Sequence, residues 1–115
     1  MSVKIIQGED RSIKILLKTS AGNAYDITTI SEISAVFKNA DSSVLTKLYT
    51  SGDITIQSEA GGEITVKLED AETALLALGN QSFEIITDLN AAQPTGERRI
   101  FQFEKELQVV KRLVS

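Results

Sequence analysis

This chain of 115 residues contains no cysteine, no histidine and no tryptophan, and only one proline. Without cysteine there is no disulfide, no thiolate nucleophile and no zinc-thiolate site, so stability has to come from packing, and redox logic says nothing about compartment. Without histidine the commonest general base, the imidazole metal ligand and any imidazole pH switch are missing. Aromatic side chains are also scarce, two tyrosines (Tyr25 and Tyr49) and four phenylalanines. Once Phe37, Phe83, Phe101 and Phe103 are assigned to core faces, little is left for a platform that stacks on sugars or bases. The longest uninterrupted apolar run, Ala74 to Leu78, is far short of the roughly twenty residues that span a bilayer, and MSVKIIQGEDRS holds no apolar run of signal-peptide length. The expectation is a soluble chain made without export, with no membrane partner.

Charge excludes a further class. The net charge is -4, with the two signs interspersed, which argues against a phosphate backbone and so against nucleic acid as a partner. Arg98-Arg99 and Lys111-Arg112 are the only basic clusters, and solvated strand faces are the expected reading for them, with an acidic partner surface as the alternative.

What the chain does have is period-two alternation. Val3, Ile5 and Gln7 alternate with Lys4 and Ile6, and after a turn at Gly8 to Asp10 a second strand runs from Arg11 to Lys18 with Ile13, Ile15 and Leu17 on one face. Residues 19–24 form a polar turn containing Gly22 and Asn23. Tyr25, Ile27 and Ile30 belong to an irregular connection that covers an end of the core. Glu32 to Asn39 is a strand with Ile33, Ala35 and Phe37 inward. Val44 to Tyr49 is another whose mixed pattern assigns no face. Ile54 and Ile56 mark a short strand, joined through a loop ending in Gly61-Gly62 to a strand with Ile64, Val66 and Leu68 inward.

Beyond Leu68 the period changes. Ala71, Ala74, Leu75 and Leu78 fall on one helical stripe, with Asp70 as the capping residue, Glu69 and Glu72 adding favourable charge at the N-terminus, and Gly79 closing a helix over residues 70–79. Phe83 to Leu89 is the next strand. Residues 90–97 form the longest loop, the expected mobile tip. A last strand follows from Arg98, bent or bulged near Glu104. Roughly seven or eight strands separated by turns, plus one short helix, describe a single antiparallel, Ig-like β-sandwich domain over residues 1–115. Parallel crossovers would need more helices.

Candidate chemistry is thin. Glu9 with Asp10, Glu69 with Asp70 and Glu72, and Glu104 with Glu106 are the acid groupings, and none sits in the apolar context that would raise one pKa for acid-base work. No loop crowds enough oxygen ligands for calcium. Gly61-Gly62 lacks the lysine, hydroxyl residue and following helix of a phosphate loop and is turn chemistry. No catalytic residue, cofactor or metal site is expected.

The order of signals nevertheless resembles a family. An I-x-x-G-E-D segment before an alternating strand (Ile6 to Leu17), a turn with Gly22 and Asn23 followed by Asp26-Ile27, and a strand ending in Phe37-Lys38 are similar to the small N-terminal β-sandwich of phage baseplate upper proteins and related tail proteins. Leu75, Leu78 and Gly79 before Phe83-Glu84-Ile85, then a loop and a final strand at Phe101 to Glu104, agree with the family's second half. The resemblance implies a non-enzymatic structural or assembly protein of a phage or prophage particle, a tail or baseplate component, located in the virion and in the bacterial cytoplasm during assembly. Its partners would be other phage structural proteins or copies of itself, including a homo-oligomer, met through sheet edges and flat faces. Family sandwiches are usually followed by more chain, whereas this one ends at Ser115, which favours a free-standing assembly module over a receptor-binding part. The apolar tail Val110, Leu113 and Val114 is the candidate protein interface, its structural alternative being completion of the last strand against the core. A ligand-binding β-sandwich for a carbohydrate or host surface is the competing reading, and it requires an exposed Tyr25 or Tyr49 in a concave site.

Overall fold

The computed structural model describes residues 3–28, 30–89 and 98–112, and it is a β-sandwich. The larger, five-stranded sheet has the order β1 (Val3–Ile6), β8 (Arg98–Val110), β7 (Gly79–Leu89), β3 (Ile30–Lys38) and β4 (Val44–Leu48). The smaller, three-stranded sheet has the order β2 (Arg11–Leu16), β6 (Glu63–Leu68) and β5 (Ile54–Ser58). A short helix, α1 (Asp70–Thr73), joins β6 to β7.

Alternation explains most of this. Ile13 and Ile15 on β2, Ile64, Val66 and Leu68 on β6, Ile33, Ala35 and Phe37 on β3, and Phe83 and Ile85 on β7 are all buried. Pairing keeps them in rows. Ile13 lies opposite Val66, which lies opposite Ile54, and Ala35 lies opposite Ile85, which lies opposite Phe101. A slip of one residue in any of these strands would turn its apolar set to water, so burial and register enforce each other. Tyr25 and Ile27, in the irregular connection after β2, are buried in the core, whereas Ile30, expected in the same connection, opens β3. The β5–β6 hairpin and the bulge near Glu104 are also present. Gln81 pairs with Leu107 but Phe83 with Phe103, and within the bulge Lys105 has φ 52° and donates its N–H to the Ser82 hydroxyl at 2.9 Å.

Three features depart from the sequence-based expectation. First, the sandwich is not wholly antiparallel. β1 pairs in parallel with β8, Val3 opposite Leu107 and Ile6 opposite Val110. No helical crossover is needed, because the connection between these strands is nearly the whole chain. β1 and β2, neighbours in sequence, consequently sit in different sheets.

Second, the helix stops at Thr73 rather than Gly79. Beyond it the chain runs on in turns, Ala74, Leu75 and Leu76 donating to the carbonyls of Asp70, Glu72 and Thr73, and then bonds to the end of β3, Ala40 donating to the Leu75 carbonyl at 2.9 Å and Ala77 to the Lys38 carbonyl at 3.1 Å. Leu76, which bridges to Asn39, is buried like Thr73 three residues before it, while Leu75 and Leu78 are 62% and 51% exposed. The helical stripe read from Leu75 and Leu78 is therefore overturned, because strand-like partners for the backbone outweigh a helix too short to stand alone. Gly79, φ +96°, opens β7 instead of closing a helix. Glu69, not Asp70, is the N-cap. Asp70 is the first helical residue, and its carboxylate accepts the N–H of Ala71 at 2.7 Å.

Third, Phe101 and Phe103 are only half-buried, whereas Phe37 and Phe83 are enclosed. The loop over residues 90–97 lies outside the described residues.

Candidate interaction surface

Five strands facing three leave the inner margins of the larger sheet uncovered, and the chain closes its two margins differently. On the β4 side, Lys47 lies opposite Ala35 and so points inward. Its ammonium meets Glu72 of α1 at 2.5 Å and Asp53 at 3.5 Å, with the Lys47 side chain only 7% exposed. A buried ammonium needs such partners, and the stem packs as an apolar chain while the head is neutralised. Alternation alone gives β4 no face. Its signal was Lys47 in phase with Leu45 and Tyr49, which hides a lysine among apolar residues.

On the β8 side the margin stays open. Phe103 stacks on Phe83 with ring centroids 4.8 Å apart, and Tyr25 meets Phe101 edge to face at 5.2 Å. Arg99 lies over the Tyr25 ring, 5.5 Å from its centroid, a cation-π contact on the same inner face. Between this aromatic row and the exposed side of β2 runs a groove of about 590 Å³ lined by Lys14, Leu16, Lys18, Phe101, Phe103 and Glu106. Leu16 is 47% exposed there.

The two backbone edges of β8 beside that groove are covered unequally by the described strands. β7 holds one edge of β8 along its length, but β1 covers the other edge only from Leu107 to Val110. Among the described residues no strand pairs with that edge from Arg98 to Glu104. At its start Arg98 donates to Asp88 from Nε at 2.7 Å and from Nη2 at 3.3 Å. Hydrogen bonding to Asp88 and its negative charge raise the Arg98 pKa further.

Of the interface residues expected from sequence, Val110 is half-buried, pairs with Ile6, and accepts the Gln7 N–H at 3.0 Å, so it completes the last strand. Leu113 and Val114 lie outside the described residues. Two of the acid groupings place carboxylates on backbone donors. Asp10 accepts the Asp70 N–H at 2.8 Å and Glu72 the Glu69 N–H at 2.9 Å, so carboxylates satisfy the free donors of α1. Asp26 and Asp41 are held below the usual carboxylate range by hydrogen bonds from Thr28 and Ser43. Tyr25, required to be exposed for the ligand-binding reading, is buried, and Tyr49 is half-buried against the core. Among the described residues no three acidic, histidine or cysteine side chains converge as a metal site would need.

No protein-family model matches the chain, and no curated protein is similar to it.

Proposed function

We propose that this chain is a structural or assembly component of a phage or prophage particle, in its tail or baseplate, and that it works by protein-protein contact rather than by making or breaking bonds. The order of motifs from Ile6 to Glu104 supports the particle. The observation that carries the contact role is the edge of β8 beside an aromatic groove, a stretch with which no strand pairs among the described residues before β1 begins at Leu107. Main-chain N–H and C=O groups on such an edge bind a further strand, and alternating side chains select its register. The polar residues whose roles are visible, Lys47, Glu72, Asp10 and Thr73, are spent on joining elements to one another.

The test is physical association. The chain carrying a tag is expressed in the host that makes the particles, and particles and assembly intermediates are separated on density gradients. The chain is expected to co-sediment at a fixed ratio to the major tail proteins. Its absence from every particle fraction and every intermediate would sink the proposal.

A further inference from the structure

We infer that the free edge of β2 takes an added strand from a partner protein, an extended segment with two acidic residues four apart and apolar residues between them; the inference deepens the contact reading above and rests on it. β2 ends the three-stranded sheet and pairs with β6 on one side only. Leu17 donates to the Gly62 carbonyl, on the β6 side, and within β6 Lys67 donates to the Asp53 carbonyl, on the β5 side. Both bonds fix the same alternation. Ile13 and Ile15 face β6, and Lys14 and Leu16 direct their N–H and C=O groups away from it. Among the described residues no hydrogen bond reaches those groups. The free stretch is bounded by bonds at both ends. The Ser12 carbonyl already accepts Nη1 of Arg11 at 3.0 Å, and beyond Leu17 the chain turns back, Lys18 bridging Ala24.

The groove gives such a strand its apolar floor. It occupies about 590 Å³ between β2 and the rings of Phe101 and Phe103. Residues of the added strand opposite Ile13, Ile15 and Leu17 face inward, as those three buried residues do. They meet the two half-buried rings, and aromatic side chains in a desolvated groove are the usual anchors of an interface. The smaller sheet then has a fourth strand to set over the larger sheet's five.

Charge selects the occupant. Lys14, Leu16 and Lys18 are exposed on the other face of β2, so the residues opposite them are best acidic, apolar and acidic, since opposite charges on facing strands attract. Interleaved with the inward positions, the pattern is acid, three apolar residues, acid, and it reads the same in either direction. The groove sets two ammoniums against one carboxylate, Glu106, which is itself engaged. A second copy fits badly. Antiparallel pairing of β2 with itself about Lys14 sets Lys14 on Lys14, about Leu16 it sets Lys14 on Lys18, and about Ile15 it puts Lys14 diagonal to both lysines of the copy. Like charges so placed are destabilising.

The probe is the synthetic peptide TEVIVEIT, whose glutamates fall opposite Lys18 and Lys14, added to the whole isotope-labelled chain and followed by NMR. The amides of Lys14 and Leu16 are expected to shift and to gain at least tenfold protection from hydrogen exchange, while those of Ile13 and Ile15, already bonded to β6, keep theirs. Lys14→Glu combined with Lys18→Glu, both exposed positions, is expected to weaken binding at least tenfold. The charge-swapped peptide TKVIVKIT is expected to restore it, a rescue that an unfolded variant cannot show. No binding at millimolar peptide, binding that the charge reversal leaves unchanged, or shifts confined to other strands overturns the inference, as does a chain that pairs with itself through β2 without the peptide. A chain that enters particles but ignores the peptide keeps the assembly reading and removes this one. Peptide binding by a chain found in no particle does the reverse.

Discussion

A Cβ placed on Gly62 would lie 2.5 Å from the carbonyl oxygen of Tyr25. The Leu17 carbonyl is also close, at 2.7 Å, and Gly62 has φ +63°. The close approach has a function in the fold. Leu17 donates to the Gly62 carbonyl and Tyr25 donates to the Leu17 carbonyl, both at 2.9 Å, so the turn between β5 and β6 binds the chain that leaves β2.

Gly62→Ala should therefore combine backbone strain with a clash against backbone that cannot rotate away, a loss of about 3 kcal/mol. Gly52, φ +85°, has open space at its Cβ, and Gly52→Ala should cost only the left-handed backbone, about 1 kcal/mol. Urea unfolding of both variants checks the difference, and equal losses would refute the role of the Tyr25 contact.

Lys47 and Glu72 should respond unequally to truncation. Glu72→Ala leaves the buried Lys47 ammonium with only the longer 3.5 Å contact to Asp53 and also releases the Glu69 N–H, and it should cost about 3 kcal/mol. Lys47→Met keeps the packed stem and should cost about 1 kcal/mol or less, since an apolar isostere of a buried ion pair is often tolerated. Thermal unfolding decides between this order and its reverse.

Thr73, fully buried on α1, donates to the Glu9 carbonyl at 2.9 Å and accepts the Gly8 N–H at 3.1 Å. Thr73→Val preserves shape and orphans both groups, at about 2 kcal/mol. Thr73→Ser keeps the hydroxyl and should lose distinctly less. Chemical denaturation showing equal losses would mean that the methyl group matters more than the hydrogen bonds.

Acid should weaken the fold through Glu32 among others. Partial burial raises its pKa, but hydrogen bonds from the Thr50 hydroxyl and from the N–H groups of Thr50 and Ile33 outweigh that and leave it below its ordinary 4.5. A carboxyl depressed in the folded state contributes stability that is fully present above its unfolded pKa and is lost as pH falls through the folded value. The loss therefore falls below about pH 4.5, and with no histidine no imidazole adds a step near neutrality. Side-chain NMR titration should find Glu32 low in the wild type and raised in Thr50→Val. An unchanged Glu32 in that variant would remove Thr50 as the cause.

How far the fold could be read from the chain varies by element. The inward faces of β2, β3 and β6 and the β5–β6 hairpin were legible because alternation is local and needs no knowledge of the neighbour. The bulge near Glu104 was legible from the break in alternation after Phe103. Residues 70–79 misled, because Leu75 and Leu78 satisfy a helical stripe and the bonds that Ala40 and Lys38 offer this segment come from distant chain. The candidate surface was not legible as such. Val110 looked unpartnered because its partner, Ile6, lies at the other end of the chain.

By itself the order of residues determined which side chains turn inward and where most strands break, since those follow from the period-two geometry of an extended backbone. Only the folded arrangement decided which strands are neighbours. Pairing β1 in parallel with the end of β8 confines its cover to Leu107 to Val110, and a sheet of five over a sheet of three, among the described residues, leaves Phe101 and Phe103 half-buried. Edges and margins are properties of how many strands meet and in what order, and no local stretch of sequence carries that number.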